Sequence, residues 1–208
     1  YQQHSFPTRR SSDLFSKMRH FILFIALSIT IGCNQSAKKK TTQAQEEVVV
    51  AIPDSLLGKD WDGNEILVGK ISYAQMTQYS AVWFDKEYDL YRVNAERLAQ
   101  IKPLLQNKTV VLIMGTWCED SQREVPGMMK ILNEAGYNTA EMEIIAVDED
   151  KKTKADLEKA YNLAYVPALI FFDGNKEMNR IVEFPINTLE QDMLDILSGK
   201  EYKNAYAQ

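Results

Sequence analysis

Histidine is scarce in this chain. The two that occur in 208 residues, His4 and His20, both fall close to the first residue. The rest of the chain has no imidazole to serve as a base or a ligand. That excludes Ser-His-Asp and Cys-His nucleophile arrangements and argues against a zinc site; no metal and no cofactor is expected. Cysteine is equally scarce. Only Cys33 and Cys118 occur, so no Cys-x-x-Cys pair exists and no local dithiol can form. Excess positive charge is missing too. Lys and Arg number 24 against 29 Asp and Glu, for a net charge of -5. With no basic-aromatic stripe, the balance argues against nucleic acid as a partner.

What is present begins with an unusual leader. Ser5 to Leu14 (Ser-Phe-Pro-Thr-Arg-Arg-Ser-Ser-Asp-Leu) resembles the in-frame translation of a common sequencing-adapter oligonucleotide. Residues 1–17 are therefore read as an assembly artefact and Met18 as the expected start. Residues 18–32 then have the parts of a secretory signal: Arg19 and His20, an apolar stretch of about eleven residues, and Gly32 before the cut. The stretch is too short for a transmembrane helix. Cys33 directly after Gly32 resembles the lipobox of bacterial lipoproteins, although Thr30 stands where that pattern has Leu, Val or Ile. The resemblance implies acylation of Cys33 and a lipoprotein of the cell envelope, facing the periplasm and touching the membrane only through that lipid. An ordinary cleaved signal with a chance cysteine is the alternative. Residues 33–51, rich in Lys and Gln, have the composition of a disordered tether.

The remaining stretch of roughly 150 residues is long enough for one domain with a sizeable core. Residues 52–107 are expected to form an extension packed on the core. They contain the turn Asp62-Gly63-Asn64, an aromatic-rich segment from Tyr73 to Tyr91, and a helix over 94–105 with Leu98, Ile101 and Leu105 in register. Residues 108–199 alternate strand and helix patterns. Strands are expected at 109–114, 143–147, 168–172 and 178–184, and helices at 120–135, 154–163 and 187–197. Asp173-Gly174-Asn175 marks a hairpin. The order β-α-β-α-β-β-α predicts an α/β fold, a mixed central sheet with helices on both faces. Residues 200–208 are left as a tail.

Cys118 ends an apolar strand, Thr109 to Met114, and directly precedes a helix. A cysteine there lies beside the positive end of a helix, where a thiolate is favoured. At this point the chain resembles the thioredoxin superfamily. Trp117-Cys118-Glu119-Asp120-Ser121 looks like its W-C-x-x-C motif with Ser121 in place of the second cysteine. Pro126 stands where the family has a proline in the active-site helix, and Val166-Pro167 where it has a cis-proline before a strand. The run from Met114 to Pro126 is also similar to exported thioredoxin-like proteins of Bacteroidetes, which have a comparable aromatic segment before the fold, and the resemblance extends back to about Leu56. One further position departs from the family. Leu112 occupies the place of the buried Asp that helps deprotonate the second cysteine.

The resemblance implies a site in which Trp117, Val166 and Pro167 frame a partly exposed Cys118 sulfur. Ser121, three residues on, can donate its hydroxyl to a thiolate. Glu119 and Asp120 oppose the thiolate as nearby carboxylates, although acidic residues also suit a first helical turn. Three functions follow. A monothiol thiol-disulfide oxidoreductase or isomerase-like protein would use Cys118 as nucleophile on protein thiols and disulfides, with an external thiol resolving the adduct. A polypeptide-binding module would hold an extended chain near Pro167, with Cys118 incidental. A peroxide-reducing enzyme is the weakest, since Trp117-Cys118 lacks the Thr and Arg pocket such enzymes use.

Overall fold

A computed structural model describes residues 49–207. The leader, the signal, Cys33 and the tether as far as residue 48 lie outside the described residues. The end of the tether lies inside them. The backbone of Val50 donates to Gln78 Oε1 at 2.7 Å and accepts from Gln78 Nε2 at 3.0 Å, and Ala51 O accepts from Gln75 Nε2 at 2.9 Å.

Two short strands, β1 (Leu57–Lys59) and β2 (Glu65–Leu67), form an antiparallel hairpin. Asp60 ties its turn by accepting from the backbone of Asp62 and Asn64, and Gly63 takes the left-handed φ of 84° that the turn needs. The other five strands form one sheet in the order β3-β5-β4-β6-β7. They are β3 (Gly69–Ile71), β4 (Lys108–Met114), β5 (Glu143–Ala146), β6 (Ala168–Asp173) and β7 (Lys176–Val182). β4 and β5 are parallel, and the other pairings are antiparallel. The extension therefore contributes an edge strand, β3, to the central sheet.

Three of the four α-helices start where a side chain satisfies free N–H groups of the first turn. α1 (Tyr73–Leu90) has a capping box, in which Ser72 and Gln75 exchange side-chain and backbone bonds. Asn94 caps α2 (Ala95–Leu104) and Thr188 caps α4 (Leu189–Leu197). α3 (Glu119–Ala135) differs, because its cap residue is Cys118 and no side chain closes the turn. Gly136, at φ 80°, ends it in the left-handed conformation usual at a helix C-terminus.

Strand alternation divides the core into two layers. Val110, Leu112, Met114, Ile144, Ala146, Leu169 and Phe171 face one side, and all four α-helices bury against it. Phe84 of the aromatic segment is buried there, with Tyr73, Trp83 and Tyr88 around it. Val111, Ile113, Ile145, Val147, Ala168 and Ile170 face the other side. Helical structure covers both faces, but unequally. The second face is roofed by a single 3-10 helix, Leu157–Tyr161, with Leu163 and Trp117 beside it.

That 3-10 helix corrects the expected α-helix over 154–163. Thr153 Oγ1 accepts from Leu157 N at 2.9 Å, and the buried Glu158 carboxylate accepts from Thr153 N and Oγ1. These side-chain bonds compete with an α-helical ladder. Asp156 and Asn162, both in the left-handed region, stop the segment at each end. β7 also begins and ends two residues earlier than expected. Glu183, at φ 59°, turns the chain out of the strand, and its N–H donates to Pro167 O at 2.7 Å.

Candidate active site

β4 delivers Gly115, Thr116 and Trp117 to its C-terminal end, and the chain then enters α3 through Cys118. Each of these residues is tied down. Gly115 is required because a Cβ there would lie 2.6 Å from the Trp117 ring. Its absence lets the indole fold back, and Nε1 donates to Val147 O at 2.9 Å. The Lys151 ammonium stands 5.8 Å from the centre of that ring. Thr116 Oγ1 accepts from Leu67 N at 3.2 Å, and Thr116 O accepts from Gln122 Nε2 at 2.9 Å. The first of these bonds joins the hairpin of the extension to the site.

Cys118 N donates to Gly115 O at 3.1 Å, and Cys118 O receives the first helical bond, from Gln122 N at 2.9 Å. The side chain belongs to the thinly roofed face, with Val166, Ala168 and Ile170. Its thiol donates to Val166 O at 3.4 Å. Val166-Pro167 is a cis peptide, as the resemblance implies. The site thus brings together Trp117, Cys118, Val166 and Pro167 from two separate stretches of chain. Cys118 is a free thiol with 8% of its surface exposed, less open than the partly exposed sulfur expected.

Ser121 requires a second correction. Expected to donate to a thiolate, its hydroxyl instead accepts from Gly115 N at 3.2 Å, and the residue is fully buried. The β4 ladder stops at Met114, so the next N–H is left inside the protein and needs an acceptor. Ser121 provides it. Among the described residues no hydrogen bond joins Ser121 to Cys118.

The acidic pair in the first turn divides. Glu119 is exposed. Asp120 accepts from Arg123 Nη2 at 2.5 Å, and Arg123 Nε donates to Glu124 Oε1 at 2.8 Å. Hydrogen bonds to Glu124 and then Asp120 raise the affinity of that guanidinium for its proton. Pro126 is buried inside α3, where it has no N–H to offer Gln122 O. Leu112 is fully buried on the helical face of β4.

Sequence reasoning missed the rim beyond the proline. Tyr165, next to Val166, stacks on Tyr206 with ring centres 4.0 Å apart and planes at 19°. The Tyr206 hydroxyl donates to the Glu183 carboxylate. That hydrogen bond, followed by desolvation and the charge of Glu183, pushes the phenol up to about 12. Neither tyrosine lies in a periodic segment, and so no pattern pointed to the pair. Thr116 and Gln122 could have been found, as polar residues flanking the cysteine in an otherwise apolar strand-to-helix junction.

Chemically, the arrangement offers one sulfur at a helix N-terminus, facing a backbone carbonyl, with no second thiol and no imidazole among the described residues. No group of acidic, histidine or cysteine side chains that could hold a metal occurs among the described residues. No helix of the described residues is long and apolar enough to cross a membrane.

Residues 70–196 match a family model described as thioredoxin. The fold is thioredoxin-like, and the matched span takes in β3, the edge strand contributed by the extension. Solved structures that align with this chain include a protein of unknown function from Pseudomonas aeruginosa, at 13% identity and a TM-score of 0.45, covering 64% of this chain and 92% of that one. An HIV epitope-scaffold aligns at 13% identity and a TM-score of 0.46, covering 64% and 95%. The thioredoxin of Trichomonas vaginalis aligns at 24% identity and a TM-score of 0.24, covering 43% and 81%. No curated protein matches the chain.

Proposed function

The chain belongs to the thioredoxin family, and we propose that it acts within it as a monothiol thiol-disulfide oxidoreductase of the cell envelope, anchored by a lipid on Cys33. The observation that carries this reading is the placement of Cys118. It caps α3, and its thiol points at the carbonyl directly before the cis-proline. The Cys118 thiolate attacks one sulfur of a protein disulfide, having lost its proton to water. A bond forms between Cys118 and that sulfur, the original S–S bond breaks, and the departing thiolate takes up a proton. The fully buried Ser121 cannot complete a second exchange. A soluble or protein thiol then attacks the Cys118 sulfur of the adduct and the partner leaves as thiolate, after which a second such thiol attacks the sulfur of the first and Cys118 leaves as thiolate; where the partner's own second thiol attacks the partner sulfur, Cys118 leaves as thiolate directly.

A second reading has one observation in its favour. The low exposure of Cys118 suits a polypeptide-binding module in which the thiol is incidental. Trapping separates the two. Wild-type protein expressed in its own host is expected to carry disulfide-linked partners after acid quenching, and Cys118→Ser is expected to carry none while remaining folded. If the wild type traps no partner and its thiol resists iodoacetamide at pH 8, the redox reading is lost and the binding reading replaces it.

A further inference from the structure

We propose that Tyr206 is a specificity-determining residue of this site: its ring lies as a displaceable strap beside the Val166-Pro167 edge, so that a polypeptide disulfide must push it aside to reach Cys118 while a small disulfide need not. This rests on reading Cys118 as the reacting thiol.

The segment after α4 is held at two points of unequal strength. At the first, Tyr202 packs against the main core. Its hydroxyl donates to the buried Asp192 at 2.9 Å, and its carbonyl accepts from Asn179 Nδ2 at 2.8 Å. At the second, Tyr206 is held by one stacked ring and one hydrogen bond, and it is 42% exposed. Lys203, Asn204 and Ala205 lie between. Within this short connection the bonds are local: Tyr206 N donates to Asn204 Oδ1 and Ala207 N to Asn204 O. The four residue steps from Tyr202 to Tyr206 reach at most about 14 Å, so a released ring stays near the site.

The position of the ring gives the strap its effect. Tyr206 engages one neighbour of Val166, Tyr165, directly and is linked to the other, Pro167, only through Glu183. It stacks on Tyr165 and bonds to Glu183, whose N–H in turn holds Pro167 O. Val166 O is the group that receives the Cys118 thiol. A polypeptide lying along this edge needs the ground that Tyr206 covers. A small disulfide needs only the sulfur. The stack is weak enough to be displaced, since an aromatic pair of this kind shifts an equilibrium by roughly two- to tenfold.

The test uses the full chain as wild type, Tyr206→Ala and Tyr206→Phe. Two reagents share one chromophoric leaving thiol, thionitrobenzoate. One is its mixed disulfide with free cysteine, and the other is its mixed disulfide with a peptide of about a dozen residues. Tyr206→Ala is expected to speed the peptide reaction roughly two- to tenfold and to leave the cysteine reaction within about twofold of wild type. Tyr206→Phe, which keeps the stack and loses the hydrogen bond, is expected to fall between. Equal acceleration of both reagents would show that the ring merely shields the sulfur. A slower peptide reaction would make Tyr206 part of a binding platform. Either result, or no change, overturns the proposal. If wild-type Cys118 reacts with neither reagent, the redox reading fails, and fluorescence anisotropy of the same peptide with serine in place of its cysteine decides the strap. Tighter binding to Tyr206→Ala upholds displacement, and equal or weaker binding refutes it.

Discussion

Replacing Ser121 by alanine removes the only acceptor that Gly115 N–H has among the described residues. Both residues are buried, so water cannot take the place of the hydroxyl. A buried donor left without a partner costs about 1–3 kcal/mol. The middle of that range, about 2 kcal/mol, lowers Tm by about 4–8 °C in a protein of this size. Urea unfolding is expected to show the same loss as a lower midpoint with an unchanged slope. Amide exchange should show faster loss of protection at Gly115. Ser121→Cys is expected to lie between the alanine variant and wild type, because a sulfur is only a weak acceptor. One helical turn also brings the new thiol within bridging distance of Cys118, so mild oxidation is expected to form a disulfide there. With Leu112 in place of an acid, dithiol turnover should stay well below that of a thioredoxin. If Ser121→Ala unfolds within about 0.5 kcal/mol of wild type and Gly115 exchanges at its wild-type rate, the role assigned to the hydroxyl is wrong.

Gly115→Ala puts a methyl group into the Trp117 ring; overpacking of this kind costs about 1–3 kcal/mol, and the displaced indole should show red-shifted emission and easier quenching by acrylamide. Unchanged emission would mean that the ring does not fold back over Gly115. The Tyr206 phenol, raised from 10.0 to about 12 first by its hydrogen bond to Glu183, sets a pH limit on the strap. The neutral phenol is the form that is held, so the contact is complete below about pH 10 and is lost as pH rises to about 12. The tyrosinate absorbance missing from Tyr206→Phe should therefore titrate near pH 12, and a component near pH 10 would count against the contact. Mass spectrometry of native protein is expected to find an acylated Cys33 at the mature N-terminus; an unmodified Cys33 would remove the lipid anchor from the proposed function.

The parts of the fold that were legible rest on local periodicity. β4 reads as a continuous apolar run because both of its faces are covered, and α3 reads as a helix because Val125, Met128, Met129 and Leu132 share one face. The segment over 154–163 looked helical for the same reason. Leu157, Tyr161 and Leu163 do pack on the sheet, but the bonds among Thr153, Leu157 and Glu158 decide the backbone of the segment, and those depend on a side chain turning inward. β3 was not legible as a member of the central sheet. A strand of three residues carries too little alternation, and its place is fixed by pairing with β5, far along the chain.

The site divides along the same line. Cys118, Val166 and Pro167 were found through a motif, whereas the direction of the Ser121 hydroxyl follows from where the β4 ladder ends. Leu112 and Ser121 are also linked by more than their shared departure from the family. Leu112 is buried on the central strand, where its side chain contributes about 1.5–3 kcal/mol. A carboxylate in its place would be taken out of water with no partner and would cost several kcal/mol. In a dithiol protein that cost is offset by the function of deprotonating a second thiol. Here the residue at 121 has no acidic proton to lose and instead satisfies Gly115 N–H. A cysteine at 121 alone would lack its base, and an acid at 112 alone would be a buried charge without a task. Either change made alone loses stability before the other can make it useful, so the pairing of Leu112 with Ser121 favours a site with one thiol.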